Sequence, residues 1–490
     1  MTSRDLIELY DLVVVGGGPA GMAAAAEAWK AGLKRILIAE RNGFLGGVLP
    51  QCIHDGFGIA EFQESMTGPE YAQRWKELVE KSGIQILTDT TVIKMETDGL
   101  HTLTLTGSAA GICKVRTKSV VLSTGCRERT IGQLHIPGSR PAGIYTAGAA
   151  QYMMNCQNYL PGKSFVVLGS GDIGLIMARR VTLEGAKVNM ILGEQASGLL
   201  RNYIQCVQDF EIPIRFGYTV LRTHGYKRLK GVTIAPTNKS GEPDIKRSQY
   251  VPCDTLLVAA GLIPETELWS SQGFPLGQAG GIPVNAFMQT EKDGVFACGN
   301  VVKIYDTVDE VSHRGRQSGY AAATWVLKSE KVFAKHQKEN ESYALLGRRI
   351  TDDDISALFD RREHMLSKLI YCIKCPRGCK IEVADENGEV SLLGAACKLG
   401  EEYAKSEYQA PVRVVTTTVT TGAAMPPLLP VRTDRPIPRA DIPKIVDICR
   451  KTCVAAPIQM GDVIVRNAGG TEANIIATGC LNIKPPLSSR

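Results

Sequence analysis

Five continuous apolar runs stand out in residues 10–330, and each ends at glycine. Leu12-Val-Val-Val15 runs into Gly16, Ser119-Val-Val-Leu122 into Gly125, Phe165-Val-Val-Leu168 into Gly169, Thr255-Leu-Leu-Val258 into Gly261, and Val295-Phe-Ala297 into Gly299. Short runs of this kind, bounded by turn residues, predict strands buried on both faces, as in parallel sheets. Between them the period lengthens to that of helices. An alanine-rich stretch over Met22–Ala31 predicts one helix. Tyr71, Trp75, Leu78 and Val79 predict another over 68–82, and a third is expected over Arg316–Leu327. Residues 84–122 alternate as short strands. The character changes past 330: 412–420 is β-branched and predicts a strand, 424–438 is proline-rich and reads as loop, 441–453 predicts an amphipathic helix, and 463–465 and 475–477 predict strands.

The first glycine turn carries more than a turn requires. Gly16, Gly18 and Gly21 fill a GxGxxG fingerprint between a strand and a helix, with Pro19 and Ala20 opening the helix. The first glycine permits the sharp turn, the second lets backbone approach a pyrophosphate, and the third lets helix pack on strand. A second strand ends in Glu40-Arg41, and an acid there can accept hydrogen bonds from a ribose. Gly169, Gly171 and Gly174 repeat the device, an internal repeat at the level of fold. In this second unit the strand Val188–Leu192 ends in Leu192-Gly193, so the acid arrives late, as Glu194. No arginine but Arg201 is within loop reach, which favours NAD(H) over NADP(H). The fold class is therefore α/β. Two Rossmann-like domains are expected, one (156–251) inserted in the other (10–155 and 252–330). A linker over 331–368 and a small cysteine-cluster α+β domain over 369–490 follow.

At 490 residues the chain is too long for one core. A net charge of +6 with scattered basic residues gives no nucleic-acid footprint. The N-terminus lacks an apolar signal region, and the longest uncharged run, Leu12–Ala26, is interrupted by the glycine turn, so a cytoplasmic protein without a transmembrane segment is expected. Fourteen cysteines in such a chain point to metal or redox chemistry. Four cluster as Cys372, Cys375, Cys379 and Cys397. Most of the other ten, Cys449, Cys453 and Cys480 among them, are expected to pack as small hydrophobes.

The two fingerprints, Thr124-Gly125 and Gly-Val-Phe-Ala-Cys-Gly-Asn300 together resemble the two-dinucleotide-domain flavoprotein reductases, the pyridine nucleotide–disulfide oxidoreductase class. That resemblance implies FAD at the first fingerprint and NAD(H) at the second. Gly299-Asn300 would contact the flavin, with Asn300 where most of the class has Asp. More narrowly, Gly46-Gly47 through Cys52, His54 and Gly58, Ser123-Thr-Gly-Cys-Arg127-Glu-Arg129 and Cys298-Gly-Asn-Val301 resemble the accessory FAD subunits of glycerol-3-phosphate-type, opine, dye-linked proline dehydrogenase and cyanide synthase complexes. This implies a hetero-oligomer with a second FAD-dependent dehydrogenase as partner. Many of the class place a CxxxxC dithiol after the paired glycines. Only Cys52 stands here, so disulfide reduction is not expected. Cys52 reads as a pocket-lining residue and His54 as a positioning one; no catalytic residue is assigned.

The segment 370–480 resembles a small cysteine-motif domain that elsewhere accompanies the accessory flavoprotein, with Thr433–Pro438 and Gly461–Ile464 matching its later motifs. Four thiolates suit an iron–sulfur cluster, which would carry electrons, or a structural zinc. Lys374, Arg377, Lys380 and Lys398 would offset thiolate charge. The expected function is electron transfer between NAD(H) and the partner dehydrogenase. Two alternatives stay open: a stand-alone NADH oxidase or peroxidase using Cys52, and a non-catalytic assembly subunit with zinc in the C-terminal domain and an inert second fingerprint, for which Leu192 at the strand end speaks.

Overall fold

The computed structural model describes residues 9–97, 99–108, 111–195, 197–238, 240–327, 367–374, 377–386, 389–422 and 426–482. The linker over 331–368 therefore lies almost wholly outside the described residues, and Cys375 does too. The chain forms two compact units. One comprises residues 1–127 and 262–344; the other comprises 128–261 and 345–490.

In the first unit a seven-stranded sheet runs in the order Gln85–Leu87, Ile36–Ala39, Leu9–Val15, Gly111–Leu122, His101–Gly107, Thr90–Glu96, with Val295–Ala297 also on Gly111–Leu122. Gly111–Leu122 serves two architectures. Its first half alternates exposed and buried residues and pairs antiparallel with His101–Gly107, and its last residues, 119–122, are all buried, 120–122 pairing parallel with Val295–Ala297. The change of pattern within one strand follows from one face being solvated early and both being covered late. The helix Pro19–Lys30 packs its small side chains on Val308–Leu327. A Cβ on Gly315 would lie 2.3 Å from the Ala20 carbonyl oxygen, and one on Gly319 2.0 Å from that of Ala24. Backbone thus meets backbone along an i, i+4 stripe. The latter helix starts at Val308, earlier than the Arg316 expected, because Asp309 and Glu310 in its first turn suit the positive end of the dipole.

The second unit has a parallel five-stranded sheet in the order Ile144–Thr146, Thr255–Val258, Ser164–Leu168, Lys187–Gly193, Ile214–Phe216. Its first two strands lie outside the 156–251 insert expected from sequence. Both hydrogen-bond within this sheet, so the insert spans Glu128–Gly261. In the same unit, Ser367–Tyr371, Lys380–Glu386 and Glu389–Leu393 form an antiparallel sheet followed by the helix Lys398–Gln409. A four-stranded sheet orders Thr416–Thr420, Leu428–Thr433, Ile475–Ala477 and Val463–Val465, with the helix Ile442–Lys451 against it.

The loop expected over 424–438 is corrected by the strands Leu428–Thr433 and Ile437–Pro438. Pro430 is tolerated because the ladder to Ile475–Ala477 begins only at Val431, while the Pro430 carbonyl still accepts from Thr478 N at 2.9 Å. The expected strand over 412–420 is broken into Val412–Arg413 and Thr416–Thr420. Cys453 and Cys480 are exposed rather than packed. Of the ten cysteines outside the cluster, Cys113, Cys206, Cys253, Cys298 and Cys449 are buried and Cys52, Cys126 and Cys156 half-buried. Among the described residues no helix is long and apolar enough to cross a membrane.

Candidate functional site

At the first fingerprint Gly16 has φ +104°, and a Cβ there would lie 2.5 Å from the Ser123 carbonyl oxygen. A Cβ on Gly21 would lie 1.9 Å from the Gly16 oxygen. Gly18, the N-cap of Pro19–Lys30, is different: its nearest neighbour is the Gly47 Cα at 4.0 Å. Two glycines are thus filled by protein, while the middle one meets only the Gly47 backbone, at van der Waals distance, at a helix N-terminus where unpaired N–H groups and the dipole favour an anion. Ser123 closes the turn, its hydroxyl donating to the Val15 and Gly16 carbonyls at 2.9 Å each. The sequence places Ser123 at the head of a motif but assigns it no role; the bracing is visible only in the structure. Pro19 holds the first helical turn and Ala20 is buried.

Glu40 is only 4% exposed. Its Oε2 accepts from Gly17 N at 2.7 Å and its Oε1 from Asn42 N at 2.8 Å. Each oxygen keeps a lone pair, so the carboxylate braces the turn and can still accept from a ribose. Arg41, next to it, is exposed. The loop that follows folds back on the turn: Gly46 N donates to the Gly17 carbonyl at 2.9 Å, and a Cβ on Gly47 would lie 3.3 Å from the Gly18 Cα. These contacts fit a dinucleotide held between loop and helix, and the glycines keep the cradle open. Cys52 is half-buried and donates to the Val48 carbonyl at 3.3 Å; the His54 ring lies 4.9 Å from that of Phe57.

Thr124 donates its hydroxyl to the Glu265 carbonyl at 2.6 Å, and Gly125, φ +77°, has nothing within 4 Å of a Cβ. Arg127 is turned to two carboxylates, Glu265 and Glu267, each at 2.7 Å. Asn300, in the short turn Gly299–Val301, accepts from Tyr305 N at 3.2 Å and donates Nδ2 to the Cys126 sulfur at 3.5 Å. Asn supplies the N–H of that second bond; an Asp there would instead have to accept from the thiol. Cys298, fully buried beside it, has its thiol pushed up to about 12 by burial and stays protonated.

The second fingerprint reproduces the backbone device. Cβ atoms on Gly169 and Gly174 would lie 2.1 Å from the Ala259 oxygen and 2.2 Å from the Gly169 oxygen, while Gly171 meets only the Ser197 hydroxyl at 3.8 Å. Its bracing is new. The Ser170 hydroxyl donates to Gln195 O at 2.6 Å, Tyr203 Oη donates to Ser170 O at 3.0 Å, and Asp172 Oδ1 accepts from Leu199 N and Asn202 Nδ2 at 2.7 Å each. Sequence reasoning missed all three side chains, which carry no motif. Glu194 directly follows the strand Lys187–Gly193 and is exposed.

In the cysteine segment, Cys372 N donates to Cys379 O at 2.8 Å. Cys397 is the N-cap of Lys398–Gln409, and a Cβ on Gly400 would lie 3.9 Å from both the Cys372 and Cys397 sulfurs. These two thiols therefore flank one point at a helix N-terminus, and Gly400 keeps that point free. Among the described residues no group of three or more His, Cys, Asp or Glu side chains is arranged to hold a metal ion, Cys375 being outside them.

Residues 10–321 match the pyridine nucleotide-disulphide oxidoreductase family, and the chain belongs to it. This is a flavin-dependent family whose members bind FAD and NAD(P). Residues 398–479 match a second family, of unknown function. The chain is 26% identical over 283 residues to the HcnB chain of hydrogen cyanide synthase from Pseudomonas protegens, covering 53% of this chain and 58% of that one. It is 27% identical over 306 residues to an opine oxidase subunit of Rhizobium meliloti (56% and 54%), and 27% over 332 residues to an alkyl hydroperoxide reductase subunit of Pseudomonas putida (66% and 59%). It thus spans little more than half the length of these relatives. Thioredoxin reductase of T. acidophilum superposes with a TM-score of 0.53 at 21% identity, over 64% of this chain and 98% of that one, a likeness of fold.

Proposed function

We propose that this chain is the FAD-bearing electron-transfer subunit of a cytoplasmic hetero-oligomeric dehydrogenase, moving electrons between NAD(H) and a second FAD-dependent subunit that oxidises glycerol 3-phosphate or a similar hydroxy or amino acid. One observation carries the reading. The seven cysteines of residues 10–321 are widely separated, none paired as CxxC or CxxxxC, so the family region lacks the dithiol a disulfide reductase needs. The three relatives described above, the cyanide synthase, opine oxidase and alkyl hydroperoxide reductase chains, are themselves named as subunits.

Bound FAD supplies hydride exchange with a nicotinamide and single-electron exchange with a metal centre or second flavin. The chain's own residues would bind and orient. Gly16 and Gly21 shape the turn by close backbone packing, Gly18 would let a pyrophosphate approach the helix Pro19–Lys30, Glu40 would take the ribose, and the Gly46–His54 loop with Asn300 would line the remainder. Gly169, Gly171 and Gly174 with Glu194 would hold NAD(H). Cys372, Cys375, Cys379 and Cys397 would hold an iron–sulfur cluster, or zinc.

Anaerobic titration of the full chain with NADH, followed by visible absorption and metal analysis, tests this. Bleaching of a flavin band and of a broad iron–sulfur shoulder is expected. Zinc at one per chain would remove the cluster as an electron carrier. Oxidation of glycerol 3-phosphate by this chain alone would refute the accessory role, and loss of activity in Cys52→Ser would favour the oxidase or peroxidase.

A further inference from the structure

The second nucleotide turn is linked, bond by bond, to the helix that carries the cysteine site. Ser170 lies between Gly169 and Gly171, and its carbonyl accepts from Tyr203 Oη at 3.0 Å. Tyr203 is fully buried and opens a π-helical stretch, Tyr203–Gln208, capped by Asp209. Such stretches are uncommon and concentrate at functional sites. The Asp209 side chain, 2% exposed, accepts from Arg413 Nε at 2.6 Å and Nη2 at 3.0 Å, and from Arg439 Nη1 at 3.2 Å. Arg413, itself 4% exposed, places its other N–H groups on Glu407, at 2.6 and 2.7 Å. Glu407 stands near the C-terminal end of Lys398–Gln409, and Cys397 caps that helix at its other end. Gly400, in its first turn, lies against the Cys372 and Cys397 sulfurs.

We propose that Tyr203, Asp209 and Arg413 are positioning residues for the second nucleotide turn, through which the helix Lys398–Gln409 and its cysteine site set that turn's affinity for a nicotinamide dinucleotide. The inference rests on the nucleotide reading given above. The Arg413 bonds are charge-assisted and directional, the Tyr203–Ser170 bond is a buried neutral one, and burial spares the ion pairs the screening that silences surface pairs. A shift of the helix at its cysteine end cannot leave Arg413 behind, because an uncompensated buried guanidinium is costly. Arg413 grips Asp209 with two N–H groups, so the shift passes to the π-helical stretch and, through Tyr203, to the carbonyl between the fingerprint glycines. By linkage the effect is mutual: a dinucleotide bound at the turn changes ligand affinity at the cysteines by the same factor.

The test measures ADP-ribose binding by calorimetry to the flavin-loaded full chain, in wild type, Tyr203→Phe, Arg413→Met, their double variant, Cys397→Ser and the surface control Lys451→Gln. Flavin content and thermal midpoint are recorded for each. Tyr203→Phe and Arg413→Met are each expected to weaken binding about 5- to 30-fold, within the range of ordinary couplings. The double variant should be no weaker than the weaker single, because both cut one path. Cys397→Ser is expected to weaken binding about five-fold, with Lys451→Gln unchanged. In turnover with a dye acceptor, KM for NADH should rise with kcat constant, which general loosening would not give. If Arg413→Met does not fold, Tyr203→Phe, which loses one hydroxyl, decides with Cys397→Ser. Wild-type affinity in those variants, or effects that multiply in the double variant, would overturn the proposal. Failure of wild type itself to bind ADP-ribose would instead remove the nucleotide reading, and the coupling with it.

Discussion

The two fingerprint turns share a backbone and differ in what braces it. At the first, the acid ending the second strand does the bracing: Glu40 is buried, and its carboxylate takes Gly17 N and Asn42 N. At the second, the corresponding strand ends in buried Leu192 and Gly193, and Glu194 stands exposed beyond them. The bracing there falls to Ser170, Asp172 and Tyr203, drawn from the turn and from the segment over 195–203. The difference teaches that glycine spacing specifies the turn, while the charge arrangement around it is solved separately each time. The first turn is held by its adjoining acid and by Ser123 at the end of the neighbouring strand, both within its own sheet. A turn held by a distant phenol can be influenced from elsewhere.

The largest effect is expected where the turns are alike. Gly21→Val and Gly174→Val both push a side chain into a carbonyl about 2 Å away, and each should cost about 3 kcal/mol or more of stability where it stands. Gly21→Val should abolish flavin retention, whereas Gly174→Val should keep flavin and lose NADH reduction. Flavin content and anaerobic bleaching of the two purified variants check this. Flavin loss from both would break the assignment of distinct ligands to the turns.

That likeness was legible in the sequence because glycine geometry is local. An apolar run, a GxGxxG and a helix-period stretch each act over a few residues, and all three recur at Leu12–Gly21 and Phe165–Gly174. The bracing was not legible. Tyr203 reaches Ser170, and Arg413 reaches Asp209, only through tertiary packing, and no spacing announces either pair. The insert's edges were misplaced for a similar reason. Ile144–Thr146 and Thr255–Val258 read as buried strands in either domain, and only the register to Ser164–Leu168 shows which sheet they complete. Leu428–Thr433 was hidden by Pro430 and the prolines that flank the strand; a missing N–H matters only where the ladder calls for one.

A smaller effect should separate the two acids. Glu40→Gln keeps the shape of the side chain but weakens two charge-assisted bonds and offers an amide to Gly17 N or Asn42 N, costing about 1–3 kcal/mol. Thermal unfolding and flavin dissociation should both report it. Glu194→Gln, at an exposed position, should leave stability within about 0.5 kcal/mol of wild type and act only on KM for NADH. A stability loss at Glu194 matching that at Glu40 would erase the distinction between a self-braced and an externally braced turn.

The mildest expectation concerns a buried acid outside both turns. Burial raises the Glu61 pKa above the ordinary carboxylate value, against the opposing pull of Arg316, whose Nη2 lies 3.2 Å from Glu61 Oε2. A carboxyl with a raised folded pKa holds its proton more tightly in the native state than in the unfolded chain. Its contribution to stability is therefore full below the unfolded value and is lost as pH rises through the folded one. Wild type should lose a little stability as pH climbs from the carboxylate range toward neutrality. Glu61→Gln cannot titrate and should flatten that part of the profile. Denaturant unfolding of both proteins across the range measures the slope. An unchanged slope in Glu61→Gln would assign the pH dependence to another acid, and buried Asp309, whose pKa burial also raises, is the next candidate.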